Sequence, residues 1–352
     1  MTKSSNFFHK LTHWEYWPSY MFYVPLLPYS FYLAIKAKSP MFFTAVNPVI
    51  KNSGNGTESK FETIQLIPEK LRPKTLFIPP NTSINEIENL IQDGNLEFPL
   101  IAKPDIGFRG LLVKKINSLN ELETYLSKYP IDFILQEFID FTNECGIFYH
   151  RNPNEKSGRI TSITLKKFLT VQGNGTDTLK ELILNNARAR VYFQMLKDIH
   201  KNEMETIIEK DKTVALNSIG NHAKGTQFID GNHLISKELT AVFDKINLAI
   251  PGWFYGRLDI RFESLENLKN GQFKILEING IISEPTHIYD ASKNSYFTAL
   301  KSIQEHWKII YEIATTNKKN HQKEYGPIIP FLKDLKALKS YSKEVQRLSK
   351  TN

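Results

Sequence analysis

The chain lacks several features that would narrow its identity at once. It has a single cysteine, Cys145, among 352 residues. One thiol excludes an internal disulfide and fits a reducing compartment, so a cytoplasmic location is expected. No apolar core followed by a small-residue cleavage site stands at the start, so no signal peptide is expected. The apolar stretch 21–35 is shorter than the roughly 20 residues that span a bilayer, and Pro25 and Pro28 interrupt it. A transmembrane helix is therefore not expected. No Gly-Lys-Ser/Thr follows any glycine loop, which excludes a P-loop. Internal repeats and long low-complexity tracts are also missing.

What is present suits a globular chain of two or three lobes: 41% of the residues are hydrophobic, enough for a sizeable core. The net charge of +8 is compatible with nucleic acid, an anionic membrane or a phosphorylated ligand. Much of that excess lies in the last ~35 residues, so it says little about the main body. Nucleic-acid binding ranks low, because the basic tail is leucine-striped and has no clustered aromatics on which bases would stack. Trp14, Tyr16 and Trp17 flank the apolar stretch. They either dock on the protein's own body or lie at a membrane interface.

Three regions follow from the pattern: an aromatic-rich N-terminal lobe (1–85), a central core (86–295) and a helical C-terminal extension (296–352). Residues 45–60, rich in Asn, Gly and Ser, read as a loop. Ser83 with Glu86, and Ser118 with Glu121, mark helix starts. FPLIAKP is a buried strand delivering Lys103 to its end, and DIGFRGLLV is a glycine-bearing turn into a second strand. FILQEFI is an apolar strand. GRITSITLKKFLTVQ alternates as a strand, and residues 178–197 have uninterrupted helical spacing. In the last helix Leu332, Leu335, Leu338, Tyr341, Val345 and Leu348 form one stripe.

The sharpest signal is the pair GRLDIRF and LEIN. Strand alternation puts Arg257, Asp259 and Arg261 on one face, and Glu277 and Asn279 on one face of the next strand. Paired as a hairpin, Asp259, Glu277 and Asn279 offer a metal only oxygen donors, which suits Mg²⁺ (or Mn²⁺) and not zinc. The bland alternative is a salt-bridged exposed sheet face. A second signal is Lys103 before Gly107, Arg109 and Gly110. Glycines there let the backbone approach phosphate oxygens, and a lysine supplies the compensating charge. A third is Gln136, Glu137, Phe138 and Ile139, a strand edge suited to an adenine, followed by Glu144 for ribose hydroxyls. One of Lys166 and Lys167 is expected to point inward as a second phosphate lysine, since neighbours on a strand cannot share a face.

In this order the pieces resemble the ATP-grasp superfamily over residues 59–290, and within it D-alanine–D-alanine ligases and the cyanophycin synthetase module. The resemblance implies an α+β fold of two lobes clasping ATP. It assigns Lys60 to the lead-in helix as a phosphate lysine, Arg257 to the acyl phosphate, and Asp259, Glu277 and Asn279 to the metal. It also implies an ATP- and Mg-dependent ligase that joins a small carboxylate to an amine or thiol through an acyl phosphate. A kinase of the same fold and a non-catalytic nucleotide-binding module are the alternatives. After EIN the chain reads GIISEPTHIYD, placing Glu284 and His287 where dipeptide ligases carry a small Ser-Pro-Gly turn. His287, with His222, is a candidate for handling the second substrate. Alanine at Asp259 or Glu277 is expected to abolish turnover and leave the fold intact.

Overall fold

The computed structural model describes residues 14–107, 110–217 and 220–349. β1 (Thr75–Ile78), β2 (Leu100–Pro104), β3 (Lys114–Ile116) and β4 (Phe133–Glu137) form an antiparallel sheet in the order β1-β4-β2-β3. Leu100, Ala102, Phe133 and Leu135 are fully buried, in one cluster with residues of helices Ile84–Asp93 and Leu119–Lys128. Each helix starts where expected: the Ser83 and Ser118 hydroxyls accept from the amides of Glu86 and Glu121. Alternation then sends Ile101, Lys103, Ile134 and Gln136 to the opposite face of the sheet.

β5 (Asn143–His150) and β6 (Arg159–Lys167) begin a second antiparallel sheet. A short ribbon of β7 (Thr170–Gln172) and β8 (Thr213–Ala215) interrupts it. β9 (Gln227–Asp230), β10 (Tyr255–Phe262) and β11 (Lys274–Asn279) complete it in the order β11-β10-β5-β6-β9. One face carries Cys145, Ile147, Tyr149, Leu258, Ile260 and Phe262 into a core with Leu239, Phe243 and Ile246 of helix Lys237–Leu248. Each such large apolar side chain contributes about 1.5–3 kcal/mol by leaving water. The other face holds Phe148 and Tyr255, packed with Ile310, Ile313 and Ala314 of helix Tyr296–His321, and a row of charged side chains. The architecture is the expected α+β one.

The N-terminal aromatics dock on the body. Phe22 and Leu26 are buried with Ile288, Ala299 and Ile303, and Trp14 stacks on Tyr289. The C-terminal stripe docks only in its second half. Val345 is buried with Tyr341 and Leu348 against the first sheet's core, whereas Leu332 is 56% exposed.

Three local expectations need correction. The helix expected over 178–197 is three pieces, Leu179–Asn185, Ala187–Val191 and Phe193–Ile199. Asn186 is extended, and its side chain caps the second piece by accepting from the amides of Arg188 and Ala189. The single strand expected at GRITSITLKKFLTVQ ends at Lys167 and resumes as β7 in a different sheet. Leu111, Leu112 and Val113 precede β3 and do not belong to it.

Candidate nucleotide and metal site

The hairpin of β10 and β11 forms with Arg257 opposite Asn279 and Asp259 opposite Glu277. A bulge between Asp259 and Ile260 makes Leu276 the extra residue, so both Ile275 and Ile278 still reach the core. The Leu276 carbonyl accepts from Lys103 Nζ at 3.5 Å. Lys103 of β2 in the first sheet thus meets β11 of the second.

Around this point the charges alternate in sign. Arg257 Nε lies 2.9 Å from Asp259 Oδ1, and Lys166 Nζ lies 3.4 Å from Asp259 Oδ2 and 2.8 Å from Glu144 Oε1. Arg261 Nε lies 3.3 Å from Glu144 Oε2, and its Nη1 donates to the Ile139 carbonyl at 2.7 Å. Lys60 is ion-paired with Glu277. Of the two adjacent lysines, Lys166 is buried in this cluster and Lys167 is exposed. Burial acts to raise the Asp259 pKa, but Arg257 and Lys166 outweigh it and hold the carboxyl well below its ordinary range. Glu277 is held down against burial by Lys60 and Lys103. Burial lowers the Lys103 pKa to about 8, with Glu277 opposing the shift and Lys60 adding to it. Lys166 moves the other way: Asp259 and Glu144 together overcome burial and raise it.

The expected nucleotide residues are distributed unevenly. Gln136 accepts from Lys103 Nζ at 3.0 Å, while its amide donates to Thr75. Gly107 lies so close to Lys60 that a Cβ there would come within 2.4 Å of the lysine Cε. Gly110 has φ of +76°, a conformation that favours glycine. Arg109 lies outside the described residues. Phe138 sits under Lys115 Nζ at 3.9 Å and near the Arg261 guanidinium. The Glu137 carboxylate accepts from the Lys74 amide, and alternation sets it on the face opposite Lys103 and Gln136. Both Glu144 oxygens are already engaged by cations.

His287 is buried, with Nδ1 2.7 Å from Ser162 Oγ, and burial lowers its pKa. His222 lies 3.2 Å from Glu15, whose carboxylate also pairs with Arg188. Sequence reasoning missed Glu58 and Arg261 as site groups. Burial raises the Glu58 pKa, and Lys60 and Glu277 both act on it. Glu284 lies beside Arg257, which donates to its carbonyl at 3.4 Å. Its carboxyl accepts from Tyr289 at 2.7 Å and from Tyr23, and burial raises its pKa. It lines a cavity of about 170 Å³ together with Tyr23, Tyr255, His306 and Trp307. Tyr23 is 261 residues away in sequence, a separation at which no local pattern signals the pairing.

Among the described residues no three His, Cys, Asp or Glu side chains group to hold a metal. The candidate set is two carboxylates and one amide. The Asn279 amide nitrogen is buried without a hydrogen-bond partner. Amide oxygen and nitrogen are close in size, and a half-turn of the side chain exchanges their positions. An all-oxygen set with few protein ligands fits a magnesium-like ion that completes its shell with water and phosphate.

No protein-family model matches the sequence, and no curated protein matches it. Among solved structures, the chain is similar to a D-Ala:D-Ser ligase, VanG, from Enterococcus faecalis. The identity is 12% and the TM-score 0.41, covering 73% of this chain and 61% of that one. It is also similar to a D-alanine–D-alanine ligase from Bacillus anthracis, at 14% identity and TM-score 0.41, covering 75% and 68%. A bifunctional glutathione synthetase from Pasteurella multocida matches at 14% and 0.37, over 72% and 38%. The chain therefore spans about three-fifths of the VanG ligase and less than two-fifths of the synthetase.

Proposed function

We propose that the chain is an ATP-grasp-type ligase that activates a small carboxylate with ATP and joins it to an amine. The observation that carries this reading is the meeting of Lys103 from one sheet with Leu276 and Glu277 from the other. Read in this way, Lys103 is a phosphate lysine and Glu277 a metal carboxylate, brought together between the two sheets.

In the proposed reaction a carboxylate oxygen attacks the γ-phosphorus, and the bond to the ADP oxygen breaks. The amine then attacks the acyl carbon, and phosphate leaves with the proton balance closed by loss of an amine proton. Such transfers need positioning and charge stabilisation more than covalent participation by the protein. In this reading Lys103, Lys166 and Lys60 neutralise phosphate oxygens. In the same reading Arg257, which donates to the Glu284 carbonyl, stabilises the oxyanion of the second step. A divalent ion on Asp259, Glu277 and Asn279 would supply further charge neutralisation on the phosphates. The cavity beside Glu284 is close to the roughly 150 Å³ that holds a benzene-sized ligand. Its lining carboxyl suits the amine of a small acceptor.

The test is ADP release with ATP and Mg²⁺ across paired pools of small carboxylic acids and amines. The reading expects release that requires one member of each pool and yields an amide with one phosphate per ADP. Release with an alcohol alone, giving a phosphate ester, overturns it in favour of a kinase. Failure of the protein to bind ATP overturns both.

A further inference from the structure

The helical segment formed by Tyr20–Tyr23, Val24–Leu26 and Leu27–Ala37 is apolar on two sides. Phe22, Leu26 and Leu33 fill the inner side. The outer side carries Tyr20, Val24, Leu27, Phe31, Tyr32 and Ile35, exposed by 61, 55, 44, 66, 54 and 77%. Apart from Tyr32 their spacing is four, three, four and four residues, which makes one stripe along a helix. Contiguous exposed apolar surface of this kind marks an interaction site more often than chance.

Charge says what the partner is. From residue 16 to residue 57 there is no Asp or Glu, while Lys36, Lys38 and Lys51 fall in the same stretch. Lys51 is paired with Asp334. Lys36 lies over the rings of Tyr32 and Tyr311, and neither Lys36 nor Lys38 has a carboxylate partner among the described residues. A second copy laid against this face would bring up the same lysines and no carboxylate from the segment. An anionic lipid surface supplies the missing charge, accepts the apolar stripe, and suits tyrosines at headgroup level. No helix among the described residues is long and apolar enough to cross a membrane. The segment is therefore suited to lie on such a surface and not to span it.

We propose that the outer face of residues 20–37 docks the protein onto an anionic phospholipid bilayer. The experiment is co-sedimentation of the full chain with vesicles of phosphatidylcholine alone or with roughly one-third phosphatidylglycerol. Wild type is expected to bind the anionic vesicles at least about tenfold more tightly than the neutral ones. Phe31→Ser with Ile35→Ser is expected to weaken anionic binding by about tenfold or more with an unchanged thermal midpoint. Lys36→Glu with Lys38→Glu is expected to erase the preference for anionic vesicles, and this pair decides the matter if the serine variant does not fold. Wild type that stays in the supernatant with both vesicles overturns the proposal. So does a charge-reversed pair that binds as wild type, or a solution dimer that ignores vesicles and is split by the serine substitutions.

Discussion

Lys166 on β6 reaches across β5 to Asp259 on β10, 3.4 Å away, while holding Glu144 at 2.8 Å. Asp259 is thereby a structural counter-charge as well as a candidate metal ligand, because Arg257 also leans on it at 2.9 Å. The sequence-based expectation that alanine at Asp259 leaves the fold intact does not fit this geometry. Removing one partner of a buried ion pair leaves the others uncompensated and typically costs about 3–5 kcal/mol. Asp259→Asn is expected to lose both ADP release and a stability of that order, read from the urea midpoint. Adding Lys166→Met should restore part of the stability and none of the turnover. A fully stable Asp259→Asn would remove the network from the account.

Asn279 is the contrasting case. Its amide nitrogen is buried with no partner, so alanine there breaks no hydrogen bond from that atom. Asn279→Ala is expected to shift stability by no more than about 1 kcal/mol. It should nevertheless raise the Mg²⁺ concentration needed for half-maximal ADP release by about tenfold or more, the scale of a lost ligand or its orienting partner. An unchanged metal requirement would take Asn279 out of the metal set.

Lys103 gives a pH signature. Burial brings its pKa down to about 8, so the charged form is the low-pH form and is lost as pH rises through that value. ATP affinity should therefore fall between about pH 7 and about pH 9, approaching tenfold per pH unit at the upper end. Lys103→Arg does not titrate in this range and should flatten the profile. Isothermal titration with ATP across the range checks both curves, and a wild-type profile that stays flat contradicts the assignment.

The loop that leads into Lys60 is clamped against the end of β11. The Ile281 amide donates to the Ser53 carbonyl, and a Cβ on Gly280 would come within 2.1 Å of that same oxygen and 2.7 Å of the Gly54 Cα. Both are backbone atoms and cannot rotate aside. Gly280→Ala is expected to cost about 1–3 kcal/mol and to lower ATP affinity by displacing Lys60 and Asn279 together. A variant as stable and as tight-binding as wild type would show that the clamp is not needed.

Period-two alternation made the β10 and β11 faces readable, because two-residue spacing assigns sides whatever the strand packs against. The Leu276 bulge escaped it, since a bulge is set by what the flanking isoleucines must bury and not by spacing. Alternation also told that only one of Lys166 and Lys167 points inward, and the identity of that one depends on register with Glu144. Glu137 went astray for the same reason in reverse: an edge was read as one surface, although neighbouring residues on it face opposite ways. Glu284 was legible by its place after EIN, but its partner Tyr23 was not, because it comes from a distant segment. Glu58 was illegible because its approach to Glu277 depends on the fold. The serine caps at Ser83 and Ser118 were legible because a cap and its target lie three residues apart.

The alternating charges around Lys166 have a consequence for what the cleft can hold. Lys60, Lys103, Lys166, Arg257 and Arg261 face Glu144, Asp259 and Glu277, five cations against three carboxylates among the described residues. Burial raises the pKa values of Glu58 and Glu284, and both stand outside this count. These eight groups by themselves leave a surplus of two positive charges. Under the proposed function, a nucleoside triphosphate carrying one divalent ion brings the opposite sum and balances these eight groups. A diphosphate with the same ion falls short by a charge, which gives the spent nucleotide an electrostatic reason to leave.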